Sequence, residues 1–214
     1  MIKRRRRAEP ANPEPTRSGA GDALVSRWES IYGHFLRPED ITAEPIRGLD
    51  KESGWIHRFI VEFVDRLRTH ASITPVLLAG EPARVVSHYE SWLGLKRDEF
   101  TTAGLEDVDV EWNYENDPPR AMGTFRLVLS QAMFEHLIDP YRHLCDLYGL
   151  LEPGGSLIVM THLPGFGYHR HPIDAVRFFP DWFETVAVRL GADVTGRLVG
   201  DDRIVYQLTR PIQP

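Results

Sequence analysis

The sequence predicts an α/β fold: a doubly wound, mostly parallel sheet of seven strands that closes with a C-terminal antiparallel hairpin and is preceded by N-terminal helices. Three observations carry this. Residues 125 to 163 read as a short buried strand, a helical run, a Gly-rich turn and a second buried strand, which is a βαβ unit. A β-α-β connection of this kind implies parallel strands and a right-handed crossover. The last two apolar segments, 193–199 and 203–209, flank the turn Gly200-Asp201-Asp202 and alternate as an antiparallel edge does.

Within the central unit, Phe125 to Ser130 is a continuous apolar run of strand length. Gln131 to Gly149 carries apolar residues at helical spacing. Glu152-Pro153-Gly154-Gly155 is turn chemistry, and Ser156 to His162 is rich in aliphatic and β-branched residues. Upstream, Thr74 to Gly80 reads as the first strand and Ala83 to Leu93 as its helix, with Pro82 suited to a first turn. Glu99 to Gly104 and Val108 to Trp112 read as strands two and three. After the central unit, Pro180 or Asp181 opens a helix that runs to about Leu190 and stops at Gly191.

The segments before the first strand are different in kind. Residues 1–20 are basic, then Pro- and Glu-containing, with little to bury, so a disordered tail is expected. The run Lys3 to Arg7 reads as a solvated tail, with an anionic partner or a targeting signal as the other reading. Residues 21–72 form a helical N-terminal region, expected as a lid or as cover for a sheet edge. Asp22 is placed to cap a helix to Phe35, and Ser53 one that carries Trp55, Ile56, Phe59, Ile60, Phe63, Val64 and Leu67 on one face. Residues 73–214 form the main domain.

Composition excludes several classes. At 214 residues and 42% hydrophobic, the chain suits a single core-bearing domain. A net charge of −6 argues against nucleic-acid binding by the folded body, which would need a basic surface. No apolar run approaches the roughly 20 residues of a membrane span. The single cysteine, Cys145, excludes an internal disulfide and reads as a core residue. The basic start lacks the apolar core of a secretory leader. A cytoplasmic protein is the expectation, and a homodimer is possible.

The central unit also resembles the second half of class I S-adenosylmethionine-dependent methyltransferases, a Rossmann-like family. The matching residues are Phe125, Leu127, Val128, Glu135, His136, Asp139, Pro140, Leu151, Pro153, Gly154 and Gly155; Arg126 stands where an Asp is usual. The resemblance implies S-adenosyl-L-methionine as cofactor and methyl transfer to a small molecule, with the oxygen of a sugar or natural-product hydroxyl as the acceptor. It places the cofactor against Gly80, Glu81, Gln131, Ala132, Met133 and Asn113. The family's Gly-rich loop is reduced here to Gly80-Glu81-Pro82-Ala83-Arg84, and its ribose-binding acid falls on Ala103 or Gly104, with Glu106 and Asp107 just beyond. The alternative is therefore a repurposed protein of this fold that binds another ligand or a protein partner.

The segment after His162 is dense in His, Arg and aromatic residues. By resemblance it lines the acceptor pocket, with His171, Arg177, Phe178 and Tyr168 as substrate contacts. Methyl transfer needs the acceptor aligned and often a base for its proton. Histidine suits that base, and His162, His169 and His136 are the candidates. His136 reads equally as structural or cofactor-adjacent. His169 and His171 flank one residue, an unspecific spacing for metal, so no metal site is expected. Arg170 and Arg177 read either as anion contacts or as partners of Asp174 and Asp181.

Overall fold

The computed structural model describes residues 20–43, 51–200 and 202–212, with side chains in the second helix from residue 58 onward. The expected tail and its Lys3 to Arg7 run lie outside the described residues, as do the side chains of Trp55 and Ile56. The chain divides into two units, residues 1–33 and 34–214. The first contains helix α1 (Ala20–Tyr32).

The second unit carries the sheet. Its elements are α2 (Lys51–Arg68), β1 (Val76–Ala79), α3 (Val86–Leu93), β2 (Phe100–Gly104), β3 (Val110–Glu111), β4 (Phe125–Gln131), α4 (Pro140–Gly149), β5 (Leu151–His162), α5 (Pro180–Leu190), β6 (Asp193–Gly200) and β7 (Arg203–Thr209). The strand order is β3-β2-β1-β4-β5-β7-β6, with β7 alone running antiparallel to its neighbours. The order reverses between β1 and β4. Open α/β sheets bind ligands outside the carboxyl ends of the strands at such a switch point.

Strand parity builds the core. Val76, Leu78, Leu127, Leu129, Ile158, Met160 and Val205 face one side, where they pack with Phe59, Ile60, Phe63 and Val64 of α2 and with Val86, Tyr89 and Leu93 of α3. The alternate residues face the other way, and there Phe183 of α5 stacks on Tyr206 of β7 at 4.6 Å. Beyond β6, Leu36 forms a parallel bridge to Leu198, with Leu36 N–H donating to Arg197 O at 2.9 Å and Val199 N–H to Leu36 O at 2.9 Å. That pairing covers an edge strand's exposed donors and acceptors.

Three sequence expectations shift. The helix after β4 begins only at Pro140: Asp139 caps it by accepting from Arg142 N–H at 3.0 Å, and proline at the first turn starts it. Residues 132–139 are thereby free to form a loop at the carboxyl edge. Glu152-Pro153-Gly154-Gly155 is not a separate turn but the start of β5, where the register with β4 slips between Phe125 and Leu127. Neither expected cap precedes its helix: Ser53 lies inside the first turn of α2 and Asp22 inside that of α1, which ends at Tyr32 and not at Phe35.

Gly155 is fixed by close backbone approach. A Cβ there would lie 2.9 Å from Glu152 O and 3.0 Å from Phe125 O, both rigid main-chain atoms. Gly155→Ala is therefore expected to cost about 1–3 kcal/mol, read as a lower urea midpoint with unchanged slope. An unchanged midpoint would show that the slipped register accommodates a methyl group.

Candidate functional site

Two clusters meet at the carboxyl ends of the central strands, one on each side of β4. The first surrounds β1. Gly80 follows β1 with φ +93°, a conformation that favours glycine. The Met133 side chain lies directly on it: a Cβ at Gly80 would overlap Met133 Cγ and stand 2.8 Å from Sδ. Glu81 turns inward, where its Oε1 accepts from the buried Tyr89 hydroxyl at 2.9 Å and from Gln131 Nε2 at 3.4 Å. Gln131 Nε2 also donates to the Tyr89 hydroxyl. Burial pushes the Glu81 carboxyl above its ordinary range, against the lowering effects of Tyr89 and His88.

The loop after β1 is tied to the loop after β2. Ala83 N–H donates to Asp107 O at 2.5 Å, and Arg84 pairs with the Asp107 carboxylate at 2.9 Å. Tyr114 donates to Ala103 O at 2.5 Å, and its hydroxyl lies 3.8 Å from where a Cβ of Gly104 would stand. The loop carrying Tyr114 is held by the loop before α4 and by α4 itself, since Glu115 accepts from Ile138 N–H at 2.8 Å and Asp117 pairs with Arg142 at 2.6 Å. Asn113, expected near a cofactor, uses its side chain to accept from Glu115 N–H in its own turn. Ala132 holds φ +47°, a sparsely populated conformation for a residue other than glycine, and its N–H reaches Met160 O at 2.9 Å.

The second cluster surrounds Glu135, in the loop after β4. Its side chain is fully buried. Oε2 accepts from the Thr161 hydroxyl at 2.7 Å. Oε1 lies 2.6 Å from His162 Nδ1, at angles that leave neither atom an aligned hydrogen bond. The Nε2 atoms of His136 and His169 each stand 3.8 Å from the same oxygen. Burial pushes the Glu135 carboxyl up, but the contacts with His162 and Thr161 and the charge available on His162 outweigh it. The carboxyl is held below its ordinary range.

The surrounding segment fixes these rings. His162 stacks on Phe166 at 3.6 Å. His136 Nδ1 lies 2.5 Å from Ile173 O, which sets that nitrogen as the donor and leaves Nε2 toward Glu135. Glu135 O accepts from Ala175 N–H at 2.8 Å and His162 O from Phe178 N–H at 3.1 Å, so the chain from 163 to 179 folds back over the end of β5. Asp174 accepts from His169 N–H at 2.8 Å and is clamped by Arg177, whose guanidinium holds the carboxyl well below the usual range.

The structure thus brings His162, His169 and His136 together around one carboxylate, and gathers Gly80, Glu81, Gln131 and Met133 around β1. Arg177 is engaged with Asp174, Gly167 O and Val176 O. Phe178 is buried against Phe134, Trp182 and Phe183. His171 and Tyr168 are exposed, with His171 at 6.3 Å from His136 between ring centres.

Glu135 is the central residue that a search for bases alone passes over; its signal was the Glu-His pair after β4. His143 is the other. It is fully buried among Trp112, Tyr114 and Phe134, and neither ring nitrogen has a hydrogen-bond partner. Burial lowers its pKa to about 3.

Comparison with known proteins supports the fold. No family model matches the chain, and no curated protein sequence matches it. Among solved structures it is similar to the CcbJ methyltransferase of Streptomyces caelestis, with 14% identity over 72% of this chain and 89% of that one, at a TM-score of 0.54. It is also similar to a SAM-dependent methyltransferase of Aquifex aeolicus, with 17% identity over 81% and 98%, at 0.50. The 4+2 cyclase SpnF matches at 11% identity over 91% and 94%, at 0.53. The fold is that of class I S-adenosylmethionine-dependent methyltransferases, with the seven-stranded mixed sheet expected from sequence.

Two outcomes follow from the buried groups. The folded pKa of His143 lies below the 6.5 of an exposed ring, so its neutral form stabilises the fold fully above pH 6.5 and loses that contribution as pH falls toward 3. His143→Leu should flatten the decline of stability across that window, where the wild type bears a slope of up to about 1.4 kcal/mol per pH unit from this group. Parallel slopes in urea titrations would refute it. For Glu81 the shift is upward, so ionisation at neutral pH opposes folding, and Glu81→Gln should raise Tm at pH 8 and lose that advantage below pH 4.

Proposed function

We propose that this chain is an S-adenosylmethionine-dependent methyltransferase of a small molecule, most simply one that methylates a sugar or natural-product hydroxyl. The carrying observation is the Glu135–His162 pair at 2.6 Å on the carboxyl end of β5, beside the switch point. A buried carboxylate beside Nδ1 fixes the side of the imidazole that faces the protein. Nε2 is then the atom that takes the acceptor's proton. His169 stands at 5.1 Å from His162 between ring centres and is half-exposed, so it lines the mouth through which an acceptor enters.

Bound cofactor supplies an electrophilic methyl group. The residues that would hold it are Gly80, Glu81, Gln131, Ala132 and Met133. They suit it in part: Gly80 and Ala132 bring backbone to the crevice edge, and Glu81 and Gln131 add polar atoms. Met133 covers Gly80, so the reading requires that side chain to rotate away. Methionine's unbranched side chain is well suited to such a change.

The covered glycine favours a second reading, in which the fold is kept and the S-adenosylmethionine crevice is given up. The Arg84–Asp107 tie and the bonded Glu81, Tyr89 and Gln131 close the same place. Fold does not fix chemistry, and SpnF is described as a cyclase.

Calorimetric titration with S-adenosylmethionine and S-adenosylhomocysteine separates the two. Under the first reading both bind with micromolar affinity, and Met133→Ala binds at least as tightly. No heat at millimolar ligand, in wild type and Met133→Ala alike, would sink the first reading and leave the second.

A further inference from the structure

We infer that Glu135, His162 and His169 form a three-residue site for a divalent first-row transition ion, with zinc as the reference metal. One donor atom of each lies within 4.8 Å of the other two. Ligands about 2.0–2.1 Å from a tetrahedral ion stand roughly 3.3 Å from one another. The observed spacings from Glu135 Oε1, 2.6 Å to His162 Nδ1 and 3.8 Å to His169 Nε2, fall on either side of that value. Sub-ångström changes in these two spacings meet it.

A second observation points the same way independently. Glu135 Oε1 and His162 Nδ1 are both buried and both lack an aligned hydrogen-bond partner, although they are close together. Leaving a buried polar atom unmatched costs free energy of the order of 1–3 kcal/mol. Two such atoms 2.6 Å apart are what a cation relieves.

One outer contact is of the kind that metal sites have. Metal-bound carboxylates and imidazoles are held through their other polar atom. Glu135 Oε2 accepts from the Thr161 hydroxyl at 2.7 Å. His169 Nδ1 lies 3.8 Å from Asp174 Oδ2, beyond hydrogen-bond reach, and is itself without a partner. His136 borders the site, with Nδ1 set by Ile173 O and Nε2 turned to Glu135. Two nitrogens and one carboxylate oxygen suit zinc, iron or cobalt better than calcium or magnesium, which prefer all-oxygen shells. Three protein ligands leave a position open, as catalytic sites do. The half-exposed His169 gives the route in.

What the ion would do rests on the reading of this pocket as the reactive centre: it would take the acceptor's hydroxyl oxygen as its remaining ligand and lower that hydroxyl's pKa. Binding of the ion rests on no cofactor and is measured without one.

The test uses tag-free, chelator-stripped full-length protein titrated with Co2+ and then Zn2+. Expected are one Co2+ per chain, visible d–d bands of a low-coordinate site, and their loss on adding one equivalent of Zn2+. His169→Ala removes a half-exposed ligand with little risk to folding. It should weaken Zn2+ by more than the 10–100-fold that loss of an outer contact costs. Glu135→Gln, checked for native circular dichroism, should do the same, and the exposed His70→Ala should bind as wild type. Absence of saturable binding would overturn the site. So would wild-type affinity in folded His169→Ala and Glu135→Gln, or an equal loss in His70→Ala, which would put the ion on the surface. Zinc binding without S-adenosylmethionine binding would leave this inference standing and remove the methyltransferase reading. The reverse result would do the opposite.

Discussion

A fully buried carboxylate must be compensated, and the carboxyl end of this sheet is arranged around that requirement at Glu135. Transfer of a lone carboxylate from water to a protein interior costs far more than any single contact returns, so such groups persist only with partners. Glu135 draws them from separate parts of the chain: Thr161 and His162 from the end of β5, and His169 from the segment beyond. Its main-chain carbonyl accepts from Ala175 N–H. The segment from 163 to 179 is thus fastened to the loop after β4 through both the main chain and the side chain of one residue. The Asp174–Arg177 clamp then fixes the turn that carries His169. Without the charge, these rings would have no common point to face.

The other side of β4 follows a different logic. A glycine-rich loop leaves room for a ligand because it lacks side chains, and here the positions after Gly80 carry them. Pro82 stiffens the loop and Arg84 ties it to Asp107. Glu81 turns to Tyr89 and Gln131. Met133 then occupies the surface that Gly80 leaves bare. Each of these contacts is modest, and an exposed pair such as Arg84–Asp107 contributes about 1 kcal/mol or less. Their combined effect is on shape: the crevice beside β1 is lined by groups that already satisfy one another, whereas the pocket beside β5 keeps atoms that do not.

Much of the fold was legible because strand parity and crossover handedness are properties of short segments. Val76 to Ala79 and Phe125 to Ser130 read as buried strands from composition alone, and the alternating hairpin 193–209 fixed the antiparallel end. The start of α4 was misplaced because the apolar spacing of 131–139 mimics a helix. The better signal was chemical: Asp139-Pro140 is a cap followed by a first-turn proline. The start of β5 was read as a turn because Pro-Gly-Gly usually is one, yet the backbone of Phe125 and Arg126 packs so closely there that glycine is the residue that fits within a strand. The histidines of the site were found by type and by position after β4 and β5. Their convergence on Glu135 was not, since it depends on how a loop folds back over a strand end. His143 was beyond reach for the same reason, as was the packing of Met133 onto Gly80: periodicity gives the face of an element, not the group that stands opposite.

The two sides of β4 therefore pose separable chemical problems. A donor such as S-adenosylmethionine would have to displace contacts that the crevice makes with itself, and its binding energy is reduced by whatever those contacts contribute. A ligand for the Glu135 pocket meets no such opposition. Oε1 of Glu135 and Nδ1 of His162 are already desolvated and already close, so the cost of preparing them was met when the chain folded. Preorganisation of this kind favours whatever small, strongly polar species reaches the pocket first, whether a cation or the hydroxyl of an acceptor. If a methyl donor acts here, it acts on a group that the β5 side has positioned independently of it, and changes in the β1 loop would alter donor affinity while leaving that positioning intact.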